Sequence, residues 1–149
     1  MELKLNKIVT SENEEDKVEK MIIIGAGPAG LSAALYAARA ELSPLVITGM
    51  SLGGQASLTH TIENYPGFPD GVGGSELGEL FQKQAERFGA RFEFDNVTEV
   101  NFSGSPYVVK TYGNKYKAET IVISTGASPN YLGVPGEKEL TGKGVSYCG

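Results

Sequence analysis

The sequence predicts an α/β fold: a parallel β-sheet wound with helices and carrying a small antiparallel β-meander. Three features predict it. An unbroken apolar run, Met21-Ile-Ile-Ile24, leads straight into Gly25-Ala-Gly-Pro-Ala-Gly30 and then into an alanine-rich helical segment. A second apolar run at 45–48 follows at the distance that a strand–helix–strand unit needs. Further along, three short extended segments are separated by Gly104-Ser-Pro106 and by Gly113-Asn114, the second a hairpin-type turn.

A strand at 21–24 with no polar alternation is one covered on both faces. The glycines that follow have separate tasks. Gly25 permits a tight turn, Gly27 leaves a pyrophosphate room to reach the backbone, and Gly30 lets the new helix pack close to the strand. That helix, expected to begin near Pro28 and Ala29 and to end near residue 40, aims free N–H groups and a partial positive charge at an anion. Residues 49–74 then form a Gly- and Pro-rich excursion, long enough in a compact domain to call for a function. It is expected to be mobile without a cofactor. Ser75 is expected to cap a helix running to about residue 88, with Leu77, Leu80, Phe81, Ala85 and Phe88 along one side. A strand at 91–94 follows, and Phe81, Phe88, Phe92 and Phe94 are expected in the core. Segments 97–102, 107–111 and 115–118 make the meander. A buried strand at 120–124 ends in Thr125-Gly126-Ala127.

The chain has 149 residues and a net charge of −5, which weighs against nucleic acid and anionic membrane surfaces as partners. No apolar run reaches spanning length, and residues 1–20 are too charged for a secretory signal, so a cytoplasmic protein is expected. One cysteine and one histidine leave no internal disulfide and make a structural zinc site an unexpected finding. Residues 1–20 read as a polar, acidic, disordered leader. Residues 21–128 read as one dinucleotide-binding domain, and 129–149, with Pro129 and Pro135, as a linker leaving it.

The identity of the dinucleotide turns on the end of the second strand. An NAD site calls for an acidic residue about 20 positions after the glycines, to hold ribose hydroxyls. Thr48-Gly49-Met50 stands there instead, Glu41 precedes the strand, and no arginine is present for a 2′-phosphate. The long excursion and the meander offer protein to fold over a flavin, so the residues favour FAD and a Rossmann-like FAD-binding sheet.

Several motifs occur in a fixed order: Gly25-Ala-Gly-Pro-Ala-Gly30, Tyr36-Ala-Ala-Arg-Ala40, Ile47-Thr-Gly-Met50, Gly53-Gly-Gln55, Glu63-Asn-Tyr-Pro-Gly67, Ser124-Thr-Gly-Ala127 and Gly144-Val-Ser-Tyr-Cys148. Together they strongly resemble the low-molecular-weight thioredoxin reductases, over residues 21–149. The resemblance implies a flavoprotein oxidoreductase that passes reducing equivalents from NADPH through FAD to a CxxC redox-active centre and on to thioredoxin. It also allows a homodimer. It implies that Thr48, Gly49, Gly53, Gly54 and Gln55 wrap the ribityl and ribose portion of FAD. Asn64 would sit near the flavin, Val97 against the adenine, and Thr125, Gly126 and Ala127 close to the cofactor. Cys148 matches the first cysteine of the CxxC, the one usually given the attack on substrate. Family members continue with a second cysteine, an NADPH domain and a returning Gly-Asp segment that closes the FAD site. The expectation is therefore a truncated chain, one segment of a discontinuous FAD domain. It should bind FAD weakly at best, and with one cysteine it should not reduce thioredoxin by itself.

Two other functions fit parts of the pattern. One is a relative with another electron acceptor, of the ferredoxin–NADP reductase or thiol oxidase type; Cys148 argues against the former. The other is a nucleotide-binding module without catalysis. Taken alone, Cys148 could be a small packed residue. His60 reads as a loop residue rather than a base, and Asn64 fits an Asx-turn before Pro66 as well as a flavin contact. Arg39 suits the C-terminal end of its helix.

Overall fold

The structure, a computed structural model, describes residues 17–147. The expected disorder of residues 1–16 and the role of Cys148 fall outside the described residues. Strand β1 (Val18–Ile24) is followed by helix α1 (Pro28–Arg39) and strand β2 (Leu45–Ile47). A 3-10 helix (Gly54–Leu58), helix α2 (Gly74–Arg87) and strand β3 (Arg91–Glu93) come next. Strands β4 (Val97–Asn101), β5 (Tyr107–Thr111) and β6 (Lys115–Ile123) and the short helix α3 (Glu137–Leu140) complete the order.

The strands form one six-stranded sheet in the order β3-β2-β1-β6-β5-β4. β1 runs parallel to both of its neighbours, with Ile22 opposite Leu45 on one side and Ile121 on the other. β4, β5 and β6 pair antiparallel. The apolar run of β1 divides by the period of two that a strand imposes. Ile23, with Val46, faces α1 and α2 and packs with Leu31, Ala34, Ala38 and Ala85. Ile22 and Ile24, with Leu45 and Ile47, face the curled meander and pack with Val109 and Ala118. Both faces are thus covered, which is why no polar residue interrupts the run. Each fully buried isoleucine contributes about 2 kcal/mol of burial energy.

Several elements depart from the sequence expectation. β1 begins at Val18, so the leader ends earlier than residue 20. Glu19 is tolerated inside this strand because it meets Arg91 of β3: Arg91 Nη1 donates to Glu19 Oε1 at 3.1 Å, and Nη2 to Oε2. The segments expected at 115–118 and 120–124 are one strand, β6, whose start pairs with β5 while Lys117 to Ile123 pair with β1. The meander is therefore an extension of the parallel sheet, with β6 shared between them. Its turn lies one residue earlier than Gly113-Asn114, since Thr111 N donates to Asn114 O at 2.9 Å and encloses Tyr112 and Gly113.

The N-cap of α2 is Gly73, not Ser75. A Cβ at Gly74 would stand 2.7 Å from the Thr59 carbonyl oxygen, so glycine is needed where the helix meets the 3-10 turn. Of the four phenylalanines expected in the core, Phe81 and Phe92 pack against it. Phe94 is 62% exposed, and Phe88 lies at the surface beneath Arg39 and Arg87. Tyr36 of α1 also faces outward. Within the stretch read as a linker, α3 and a bridge between Thr141 and Val145 give residues 131–147 local structure. Among the described residues, no helix is long and apolar enough to cross a membrane.

Candidate functional site

The C-terminal ends of β1, β2 and β6 open onto two adjoining cavities. One, of about 670 Å³, lies over the N-terminus of α1. The other, of about 370 Å³, lies between the ends of these strands and the start of the meander. Gly25, Thr48 and Thr125 line both, so the two share a wall.

The glycine turn sits at their junction. Gly25 adopts φ +100°, and a Cβ there would stand 2.9 Å from the Ser124 carbonyl carbon. Its N–H donates to the Ile47 carbonyl at 2.9 Å, which ties the turn to β2. A Cβ on Gly30 would overlap the Gly25 carbonyl oxygen and stand 2.6 Å from Ser124 Oγ. That contact is the close helix–strand approach for which the third glycine is needed. Gly27 differs: the nearest atom to its Cβ would be Gly54 Cα at 4.0 Å. Its missing side chain leaves space that belongs to the larger cavity. Gly27 is the N-cap of α1, Pro28 occupies the first helical position, and no side chain caps the helix. No acidic residue stands in the first turn. The helix terminus therefore presents unpaired N–H groups to the cavity, the arrangement that binds phosphates. Among the described residues, no charged side chain lines either cavity. Of these residues, backbone groups and the helix dipole are what would attract an anion.

The loop after β2 closes over this turn. Gly53 N donates to the Ala26 carbonyl at 2.8 Å, and a Cβ on Gly54 would stand 3.1 Å from Gly27 Cα. Gln55 Nε2 donates to the Ala127 carbonyl at 3.2 Å, bridging the larger cavity from the 3-10 helix to the segment after β6. Thr48 is buried, and its one hydroxyl proton lies between two backbone carbonyls, Gly49 O at 2.8 Å and Glu93 O at 3.3 Å. Its contribution to the cavity is shape, with the hydroxyl spent on the loop.

Of the residues singled out in the sequence, Gly25, Gly27, Pro28, Ala29, Thr48, Gly54, Gln55, Thr125, Gly126 and Ala127 line the larger cavity. Gly49 and Val97 line the smaller one. Gly30 and Gly53 act behind the wall. Asn64 is not brought to the others: it borders a separate hollow formed by residues 63–69. His60 is exposed in the excursion.

Some contributors escaped the sequence reading. The single Ser124 hydroxyl proton is shared between two carbonyl oxygens, Ile24 O at 2.9 Å and Gly25 O at 3.0 Å, so the side chain braces the glycine turn from β6. Its place directly before Thr-Gly-Ala was the available signal. Ser51, Ala56 and Leu58 add to the larger cavity, and Asn96 and Phe102 to the smaller. Among the described residues, no group of three or more His, Cys, Asp or Glu side chains could hold a metal ion.

Further along, Glu137 is buried at the start of α3. Its carboxylate accepts from Leu132 N at 2.8 Å, from Gly133 N at 2.7 Å and from the Tyr147 hydroxyl. The Tyr147 hydrogen bond, followed by those backbone bonds, holds its carboxyl below the usual range. Burial, reinforced by the bond to Glu137, pushes the Tyr147 phenol up to about 12. This knot ends one residue before Cys148.

A parallel sheet whose first strand runs into a glycine-capped helix over an uncharged, backbone-lined cavity defines a dinucleotide-binding fold of the Rossmann type. The family model for the pyridine nucleotide-disulphide oxidoreductases matches residues 19–149, and the chain belongs to that family. The thioredoxin reductase of Peptoclostridium litorale is 49% identical over 134 residues, covering 89% of this chain and 42% of that protein. The glucosaminate ammonia-lyase of Pseudomonas fluorescens is 46% identical over 134 residues, with 90% and 42% covered. Among solved structures, the thioredoxin reductase from Streptococcus pyogenes MGAS5005 superposes with a TM-score of 0.79 at 41% identity, covering 91% of this chain and 44% of that one. The chain thus spans less than half the length of the relatives it matches.

Proposed function

We propose that this chain forms the FAD-binding portion of a thioredoxin-reductase-like flavoprotein disulfide oxidoreductase. The observation that carries the proposal is the space at Gly27. Of the three glycines of the turn, it is the one where an added Cβ would meet open cavity rather than protein, directly before the unpaired N–H groups of α1. A diphosphate fits that cradle, because backbone donors and the helix dipole meet its charge without a cationic side chain. The pyrophosphate would lie against Gly27, Pro28, Ala29 and Gly30. The adenosine would enter the smaller cavity beside Gly49 and Val97. The remaining half would extend through the larger cavity toward Gln55, Thr125, Gly126 and Ala127.

FAD, when bound, would supply two-electron redox chemistry, with NADPH as the reductant of the whole enzyme and a thioredoxin-like disulfide protein as acceptor. The names of the relatives support the thioredoxin-like acceptor, and the family description supports a pyridine nucleotide as reductant. Cys148 would be one sulfur of the exchanging pair. A dithiol–disulfide cycle needs two, and this sequence holds one cysteine. A cytoplasmic setting suits a working dithiol, and a homodimer is the commonest closed assembly of soluble enzymes. The ammonia-lyase relative favours a second reading, the same FAD-binding portion serving a different reaction.

Titrating the 149-residue chain into FAD tests the proposal. Saturable quenching of flavin fluorescence, competed by ADP, is the expected result. No change in the flavin signal at any accessible protein concentration would refute it. The two readings separate at Cys148: in the full-length protein, Cys148→Ser should abolish disulfide reduction under the first and leave activity intact under the second.

A further inference from the structure

The smaller cavity has no charge in its lining and is walled by Ile24, Ile47, Val97 and Phe102, which suits a neutral flat ring. Two of its backbone walls, Gly49 and Asn96-Val97, come from different loops. Both meet at Asp95, a residue that lines neither cavity. The Asp95 carbonyl accepts the Gly49 N–H at 3.1 Å, which holds the loop after β2. Its carboxylate accepts the Asn96 N–H at 2.7 Å and the Gly113 N–H at 2.9 Å. One side chain thus fastens the β5–β6 turn to the crossover that starts β4. The turn is fitted to it, since a Cβ on Gly113 would stand 3.4 Å from Asp95 Oδ2.

We propose that Asp95 is a positioning residue for the adenosine end of the bound dinucleotide: it locks Gly49 and Asn96-Val97 at the spacing that admits the ring. This rests on the FAD-binding reading above. The physical argument is one of preorganisation. A cavity of backbone and apolar groups has no charged anchor of its own, so its affinity depends on its walls being held before the ligand arrives. The Asp95 carboxylate holds the Asn96-Val97 wall to the β5–β6 turn through charge-assisted bonds to backbone donors, the stronger kind of hydrogen bond, while its main-chain carbonyl holds the Gly49 wall. The pyrophosphate cradle at Gly27 is braced separately, by Ser124 and Gly53. The two ends of the ligand should therefore respond differently to loss of Asp95.

The test is NMR titration of the isotope-labelled 149-residue chain with ADP and, separately, with inorganic pyrophosphate. In Asp95→Ala, ADP should bind about tenfold more weakly, the equivalent of one charge-assisted hydrogen bond's worth of order. Pyrophosphate affinity should not change, and the Asn96 and Gly113 amide resonances, which lose their acceptor, should move before any ligand is added. Asp95→Asn, which keeps an acceptor oxygen but removes the charge, should give a smaller loss of the same pattern. It serves as the second variant should Asp95→Ala not fold. Unchanged ADP affinity in Asp95→Ala, or in Asp95→Asn if only that variant folds, would overturn the proposal. So would parallel loss of ADP and pyrophosphate, which would mark Asp95 as a general stabiliser. Absence of ADP binding by the wild-type chain would overturn the dinucleotide reading itself, and this proposal with it.

Discussion

Gly27 and Gly30 stand in the same turn, yet the structure gives them opposite roles, and substitution separates them. In Gly27→Val the new Cβ would have Gly54 Cα, at 4.0 Å, as its nearest neighbour outside the adjoining chain. The backbone there, φ −76° and ψ 179°, is open to any residue. The cost to folding is that of a poorer helix N-cap, about 1 kcal/mol. For a domain of this size that lowers Tm by about 4 °C. The cost to binding is larger. The valine occupies the pyrophosphate position and displaces charge-assisted hydrogen bonds worth about 3 kcal/mol together, or roughly a hundredfold in Kd. Gly30→Ala reverses the pattern. Its methyl group would overlap the Gly25 carbonyl oxygen and press on Ser124 Oγ, 2.6 Å away. Forcing α1 off β1 should cost about 3 kcal/mol and lower Tm by about 10 °C. Thermal melts with ADP and FAD titrations measure both quantities. A Gly27→Val protein that binds like wild type, or a Gly30→Ala protein that melts like wild type, would refute the division of labour.

Other outcomes follow from the ionisable clusters. Glu137→Ala should lower the Tyr147 phenol from about 12 toward the ordinary 10.0, because the acceptor that favours the protonated phenol is gone. Alkaline absorbance titration, with Tyr147→Phe subtracted, reads this, and an unmoved titration would contradict the knot around Glu137. Arg91→Ala should destabilise the fold by about 2 kcal/mol, since it removes two hydrogen bonds to a buried carboxylate. Burial alone would raise the Glu19 carboxyl, but hydrogen bonds from Arg91 and Lys17 outweigh it and hold it below its ordinary 4.5. With a depressed folded value, the pair's contribution is complete above that ordinary value. It is lost as the pH falls through it toward the lower folded one. The Tm gap between wild type and Arg91→Ala should therefore narrow on acidification, and a gap that widens would contradict the ion pair.

What the sequence made legible, and what it hid, has a physical pattern. The glycine turn and α1 could be read because each of their residues answers to a local constraint: a positive φ at Gly25, a proline at the first helical position, and contact at Gly30. The continuity of β6 was hidden because Glu119 interrupts the apolar pattern at the point where the strand passes from the meander into the parallel sheet. The start of α2 was misread because its cap is set by a distant contact, Gly74 against the 3-10 turn, and not by a side-chain acceptor. Phe94 follows the last residue of β3 at the sheet edge, where no helix or strand covers it, so its apolar character misled. Ser124 and Asp95 work through backbone groups far along the chain, which composition and spacing do not record. Residues 129–147 resembled a linker by their glycines and prolines. Their structure depends on one buried carboxylate, Glu137, whose partners lie four, five and ten positions away.

The most direct test of the account is to map FAD onto the isotope-labelled 149-residue chain by NMR. The account predicts amide shifts concentrated at residues 25–30, at 48–55, at Val97 and at 124–127, with the hollow formed by residues 63–69 changing less. Shifts confined to the polar cavity at the opposite end of the sheet, around residues 110–116, or no saturable shifts at all, would contradict the claim that the glycine cradle is the cofactor site.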